Sequence, residues 1–215
     1  LLLLGSGPGI GVGVASHFAA RGFAIALISR NATRLSNDAE TVHRTAAAAG
    51  QPNAVVRTYP ADVSDEAALK AALAAVETDL GAPEVVVYNA SRLRASRLGA
   101  YAAGEVIEDF KTATVGLYVT ANWAMPHLLS FVGKAGRKPA LLVTSGGLYK
   151  EAFAPYFSLG VSKAAQHSLT VSLSQVLAKR GVHVAAVVVH GLVKPDGGVF
   201  SPGRIAERYW ELYEQ

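Results

Sequence analysis

The sequence predicts an α/β protein: a doubly wound parallel sheet of six or seven strands with helices on both faces, in a single domain over residues 1–215. Three observations predict it. Short runs that are apolar almost throughout alternate with longer segments of helical character, and such runs belong to strands covered on both faces. A glycine stands where each of several helices should stop. Apolar residues make up 51% of the chain and charged residues 17%, so a large core can be buried.

The strands are expected at "LLLL" (1–4), "FAIALIS" (23–29), "NAVVRTYPADV" (53–63), "EVVVYNAS" (84–91), "ALLVTSG" (140–146) and "VHVAAVVVHG" (182–191). Helices are expected at about 10–21, 31–50, 65–80, 104–133 and 156–180. The second starts at Asn31. The third starts at "SDEAAL", where Ser64 can cap and Asp65 and Glu66 suit the positive end of the helix dipole. Gly22, Gly50, Gly81 and Gly181 mark helix ends. Strand–helix alternation through short connections predicts right-handed crossovers. No repeat, linker or domain boundary is evident.

Composition narrows the function classes. Cysteine is absent, which excludes disulfides and cysteine–zinc sites and favours a cytoplasmic protein. No metal site is expected. The formal charge is +4, but Lys and Arg are scattered, so no nucleic-acid surface is expected. The apolar runs fall short of the roughly 20 residues of a membrane span. No basic segment precedes the leucines, so no secretory leader is expected.

"LLLLGSGPGIGVGVA" (1–15) sends the first strand straight into a glycine-rich turn and the first helix. Such a turn lets backbone approach a pyrophosphate, held by N–H groups at the helix N-terminus. The spacing G-x-G-x-x-G is missing, because Ile10 and Val12 occupy its final position in the two registers that begin at Gly5 and Gly7. G-x-x-x-G-x-G is present as Gly5, Gly9 and Gly11, directly after the strand, and again as Gly7, Gly11 and Gly13. A small-residue turn that only packs a helix on a strand would read the same way.

Further motifs give the loop its context. "LGSGPGIG" (4–11) resembles the T-G-x-x-x-G-I-G loop of the short-chain dehydrogenase/reductase family, with Leu4 replacing Thr. "ADVSD" (61–65) resembles its D-V-x-D segment, "YNAS" (88–91) its N-N-A-G, and "SKAAQHSL" (162–169) the S-K-x-A stretch of its active-site helix. The order and spacing of these motifs cover nearly the whole chain. The resemblance implies a Rossmann fold that binds a nicotinamide cofactor. The loop residues Gly5, Ser6, Gly7, Pro8, Gly9, Ile10 and Gly11 would then hold the pyrophosphate. Asp62 and Val63 would meet the adenine. Asn89, Ala90, Ser91, Thr144, Lys163, Gly191 and Val193 would complete the cofactor site.

At the end of the second strand the chain reads "ISRNATRL" (28–35), where an acid would favour NAD(H). Arg30 instead offers a planar donor fork suited to a 2′-phosphate, with Ser29 and Asn31 beside it. NADP(H) is therefore expected in preference to NAD(H).

The catalytic half departs from the family. The usual chemistry uses a Tyr acid four residues before a Lys. Lys163 is present, but Leu159 holds the Tyr position. Gly146 and Ala113 fall where the family has Ser and Asn, and His190, Gly191 and Pro195 alter the turn after the sixth strand. Beside Lys163, the candidate catalytic residues are Ser145, Tyr156 and His190, with Tyr149 behind them; Tyr156 would share a helical face with Lys163 two turns on. An atypical subgroup of the family carries "YNAS" and lacks the Tyr in a similar way, and "IAERYWELYEQ" (205–215) resembles its ending. The expected activity is an atypical NADP(H)-dependent oxidation–reduction of a small carbonyl or imine. The alternatives are a non-redox cyclisation or rearrangement, and a cofactor-binding pseudoenzyme or sensor. The 104–133 and 156–180 helices are apolar on more than one face, so they are expected to join copies into a homodimer or homotetramer.

Overall fold

The computed structural model describes residues 1–215. Its sheet has six strands, β1 (Leu2–Leu4), β2 (Ile25–Ser29), β3 (Val56–Pro60), β4 (Val85–Tyr88), β5 (Ala140–Gly146) and β6 (His183–Val189). They lie in the order β3-β2-β1-β4-β5-β6, with every neighbouring pair parallel. All six stand inside the runs expected from the sequence.

Side chains alternate across a strand, so neighbouring residues serve opposite layers. Leu2 and Leu4 enter one core with Leu69, Leu73, Leu117, Leu128, Leu173 and Leu177. These come from α3 (Glu66–Leu80), α5 (Gly116–Leu129) and α6 (Phe157–Leu177). Leu1 and Leu3 enter the other core with Val14, Phe18, Leu35, Val42 and Tyr209. Those come from α1 (Ile10–Ala19), α2 (Ala32–Ala48) and α7 (Pro202–Glu214). The four opening leucines thus feed both layers.

Three details differ from the sequence expectation. The helix expected over 104–133 is divided into α4 (Ala103–Phe110), a π-helical turn (Lys111–Val115) and α5. The division has a steric setting. The Tyr88 hydroxyl donates to the Thr112 carbonyl at 2.6 Å, and a Cβ at Gly116 would strike that hydroxyl and the Val63 carbonyl. Second, α3 is capped by Asp65, which accepts from the Ala67 and Ala68 N–H groups, while the Ser64 hydroxyl donates to Asp62. Third, α7 was not anticipated. Ser201 caps it, Pro202 opens it, and Tyr209 and Tyr213 bury its apolar stripe. Gly22, Gly50, Gly81 and Gly181 all follow helical segments with positive φ. No helix is long and apolar enough to cross a membrane.

Candidate functional site: a cleft at the strand ends

A cleft of about 590 Å³ opens where Gly5, Ser29, Ala61 and Asn89 follow or end β1 to β4. The strand order reverses between β1 and β4, the place where doubly wound sheets take their ligands. The glycine loop forms one wall. Gly5 has φ +86°, and a Cβ there would lie 2.5 Å from the Ala90 nitrogen, so no other residue fits without displacing the backbone. The Gly5 and Ser6 N–H groups both donate to the Ile28 carbonyl, at 2.9 and 3.1 Å. Asn89 Nδ2 donates to the Gly5 carbonyl at 2.8 Å and its Oδ1 accepts from Thr144 at 2.7 Å. Asn89 therefore braces the loop. Thr144 does not line the cleft; its hydroxyl also meets Tyr209 at 2.5 Å.

On its other side the loop is open. A Cβ at Gly7 would meet nothing within 4 Å, and at Gly9 only Val193 at 3.8 Å. The first turn of α1 carries no acidic residue, which leaves its positive end to an anion. Gly11 lies under the loop, 3.0 Å from the Gly5 carbonyl at its would-be Cβ, and packs the helix close. Pro8, Ile10, Ala90 and Ser91 complete this wall. The Ser91 hydroxyl is buried without a hydrogen-bond partner. An open glycine face, a free helix end and an orphaned hydroxyl are features that fit a dinucleotide.

The far wall carries the charges. Arg30 lines the cleft, largely exposed, and pairs with Asp62 at 3.5 Å. Burial would raise the Asp62 carboxyl, but hydrogen bonds from the Ser64 N–H and hydroxyl, with Arg30 beside it, hold it below the usual range. Arg34 also lines the cleft, and sequence reasoning missed it. It sits one turn into α2 and donates to the Ser29 hydroxyl at 2.9 Å and the Ser6 carbonyl at 3.4 Å. Its signal was its place in "SRNATR", where the first helical turn points back at the strand end. Asn31 caps α2 by accepting from the Arg34 N–H, so its side chain is engaged with the helix. Asp38, also unforeseen, accepts from the Ser6 hydroxyl at 2.8 Å. Burial raises its carboxyl despite that bond and the nearby Arg34. Val63 and Val193 line the cleft, joined by Ala61, Leu93 and Thr112.

The catalytic candidates fall elsewhere. Lys163 is buried on α6, donating to the Thr144 carbonyl at 2.9 Å and to Gln166 Oε1 at 2.8 Å. Burial pushes its ammonium down to about 8. The Ser145 hydroxyl is buried and unpartnered. Leu159, one turn before Lys163, is buried too. Tyr156 stands at the N-cap of α6, and its ring stacks on Phe153. Tyr149 stacks on His167, at 4.1 Å between ring centroids. His190 is exposed and lies against Gly147, while Gly191 lies against Phe200. None of these residues lines the cleft itself. No group of three or more His, Asp or Glu side chains is arranged to hold a metal ion.

A family model described as short chain dehydrogenase matches residues 1–197. The chain belongs to that family. Among curated relatives, it is 27% identical over 191 residues to an uncharacterized oxidoreductase of Caenorhabditis elegans, covering 86% of this chain and 56% of the relative. The chain thus spans about half the length of that protein. Two solved structures share the fold. A metagenomic short-chain oxidoreductase in complex with NADP has a TM-score of 0.83 and 20% identity, covering 100% of this chain and 90% of that one. An NADH-dependent reductase complexed with NAD has a TM-score of 0.82 and 18% identity, covering 97% and 85%. Both nicotinamide cofactors therefore occur on this family's fold, and the far wall of the cleft is where a chain would choose between them.

Proposed function

We propose that the protein is an NADP(H)-dependent oxidoreductase of an atypical short chain dehydrogenase type, acting on a small carbonyl or imine without a tyrosine acid. The observation that carries this reading is the cleft, with an open glycine face on one wall and Arg30 and Arg34 on the other. When bound, the nicotinamide supplies or accepts a hydride. The chain binds and aligns. Gly7, Gly9 and the start of α1 receive the pyrophosphate. Arg30, Arg34 and the Ser29 hydroxyl receive the 2′-phosphate, an anion that two guanidinium groups bind well. Asp62 and Val63 flank the adenine, and Ser91 offers its unpartnered hydroxyl.

Leu159 has no proton to give. A proton can come from Ser145, from His190 or from water, and an iminium substrate needs none at the moment of hydride transfer. The test is NADPH oxidation with a ketone panel and an imine panel. Turnover with imines above ketones supports the reading; tight cofactor binding with no turnover on either panel overturns it.

Silence on both panels would favour a non-redox rearrangement or a cofactor-binding sensor. The observation behind that second reading is the apolar run of the active-site positions, with Leu159 buried and Gly146 and Ala113 carrying no functional group. We also propose association into a homodimer or homotetramer. Ile107, Phe110 and Tyr118 on α4 and α5, and Val161, Val171 and Val176 on α6, all stand exposed. Such apolar helix faces are normally covered. Light scattering that finds only monomer at micromolar concentration would contradict it.

A further inference from the structure

Gln166 is fully buried on α6, three residues after Lys163. Its Oε1 accepts from Lys163 Nζ at 2.8 Å and its Nε2 donates to the Ala113 carbonyl at 2.8 Å. The orientation of this amide is fixed by chemistry. A lysine ammonium only donates and a carbonyl only accepts, so the amide fits between them one way round. Ala113 belongs to the π-helical turn, a kind of widening common at functional sites. The same turn is tied to α6 a second time, by Thr114 donating to the Ser162 carbonyl at 3.1 Å. Nζ is thus held from two sides, by β5 through Thr144 and by the π turn through Gln166.

All the oxygens that hold Nζ are neutral. The titratable and charged groups on the elements around α6 are Tyr149 after β5, Glu105, Glu108 and Asp109 on α4, Lys111 in the π turn and His183 on β6. On α6 and its final turn they are His167, Lys179 and Arg180. No carboxylate among them forms an ion pair with Nζ, and no tyrosine or histidine hydrogen-bonds it. Asp109 is committed to Arg92, Tyr101 and Ser158.

We propose that Gln166 is a positioning residue of the site: its amide holds Lys163 Nζ in place against the π turn and sets the pH range over which that lysine carries charge. This inference rests on the reading that Lys163 belongs to the functional site beside the cleft, but not on which cofactor or substrate that site takes. A buried ammonium loses its proton more readily when an acceptor is removed and less readily when a carboxylate faces it. The charge on Lys163, already unstable to burial, is therefore tunable from position 166.

The experiment follows the Nζ resonances of 15N-lysine-labelled protein through a pH titration, without cofactor, with Lys163 assigned from Lys163→Met. In the wild type Lys163 should titrate well below the other lysines. In Gln166→Glu, close in shape, its titration should rise by about 1–3 units. In Gln166→Met, close in volume, it should fall below the wild-type value. A wild-type Lys163 that titrates with the surface lysines would overturn the proposal, even if a variant fails to fold. So would variants that leave its titration where it was. A separate NADPH titration of the wild type keeps the cofactor reading distinct: absence of binding would sink that reading and leave the result on Gln166 standing.

Discussion

The two sides of the strand-end crevice differ in the groups they carry. The β1–β2–β3 side carries groups with a dinucleotide's chemistry: the glycine face, the free end of α1, Ser29, Arg30 and Arg34. On the β5–α6 side, the positions around Lys163 are occupied by Leu159, Gly146 and Ala113, the Ser145 hydroxyl is buried without a partner, and Thr144 and Lys163 are tied into the frame. Thr144 braces Asn89 and Tyr209, and Lys163 is held by Thr144 and Gln166. Binding and proton transfer place separate demands on a fold. A cofactor cradle depends on backbone shape, whereas acid catalysis depends on single side chains that one substitution removes.

The sharpest way to break this comparison is to look for ordinary ketone reduction. General acid help contributes about 10² to 10⁴ in rate. Wild type should reduce ketones slower than family members with an acid by a factor of that order, and Leu159→Tyr should raise the rate. Fast ketone reduction by the wild type would show that another group supplies the proton, and Ser145→Ala and His190→Ala would then locate it.

The backbone side of the comparison can be probed at Gly5. Its φ of +86° and the 2.5 Å approach to Ala90 leave no room for a methyl group. Gly5→Ala should cost at least about 1–2 kcal/mol from the backbone conformation alone. That is a fall of several degrees in Tm for a chain of this size, accompanied by weaker cofactor binding. An unchanged Tm would mean that the loop yields easily.

Lys163 donates to the Thr144 carbonyl, and the Thr144 hydroxyl braces Asn89 against the glycine loop. Lys163→Ala should weaken cofactor binding by roughly tenfold, about 1.4 kcal/mol. An unchanged dissociation constant would mean that this lysine serves the frame alone.

A further effect, on stability alone, is expected far from the cleft. Glu84 is buried, and hydrogen bonds from the Lys138 N–H, Arg137 and Tyr213 outweigh burial and hold its carboxyl below the usual range. Its contribution is therefore complete above the unfolded-state pKa and is lost as pH falls through the lower folded-state value. At pH 7, Glu84→Gln should lower stability by about 1–2 kcal/mol. That gap should close as pH falls through the lowered folded-state value; a gap independent of pH would refute the assignment.

The legible parts of the sequence were those governed by local rules. Apolar runs announced six strands, of which β1, β2, β4 and β5 are buried almost throughout, and glycines announced helix ends. The glycine turn announced the near wall of the cleft. Arg34 and Asp38 were missed because their roles depend on how α2 docks beside the loop, a tertiary fact. The π turn escaped because the β-branched residues of "KTATV" lower helix propensity without distinguishing a π turn from an α turn; its neighbours Tyr88 and Gly116 accompany it. Helix α7 carried cap signals at Ser201 and Pro202 that were not read as a helix start.

The measurement that tests the central claim most directly is a paired titration of NADPH and NADH against wild type and Arg30→Ala. A charge-assisted bond to phosphate is worth about 1.5–3 kcal/mol. The account predicts that wild type binds NADPH more tightly than NADH by at least tenfold. Arg30→Ala should erase most of that preference while leaving NADH affinity unchanged. Equal affinities in the wild type, or a preference that survives Arg30→Ala and Arg34→Ala together, would contradict it.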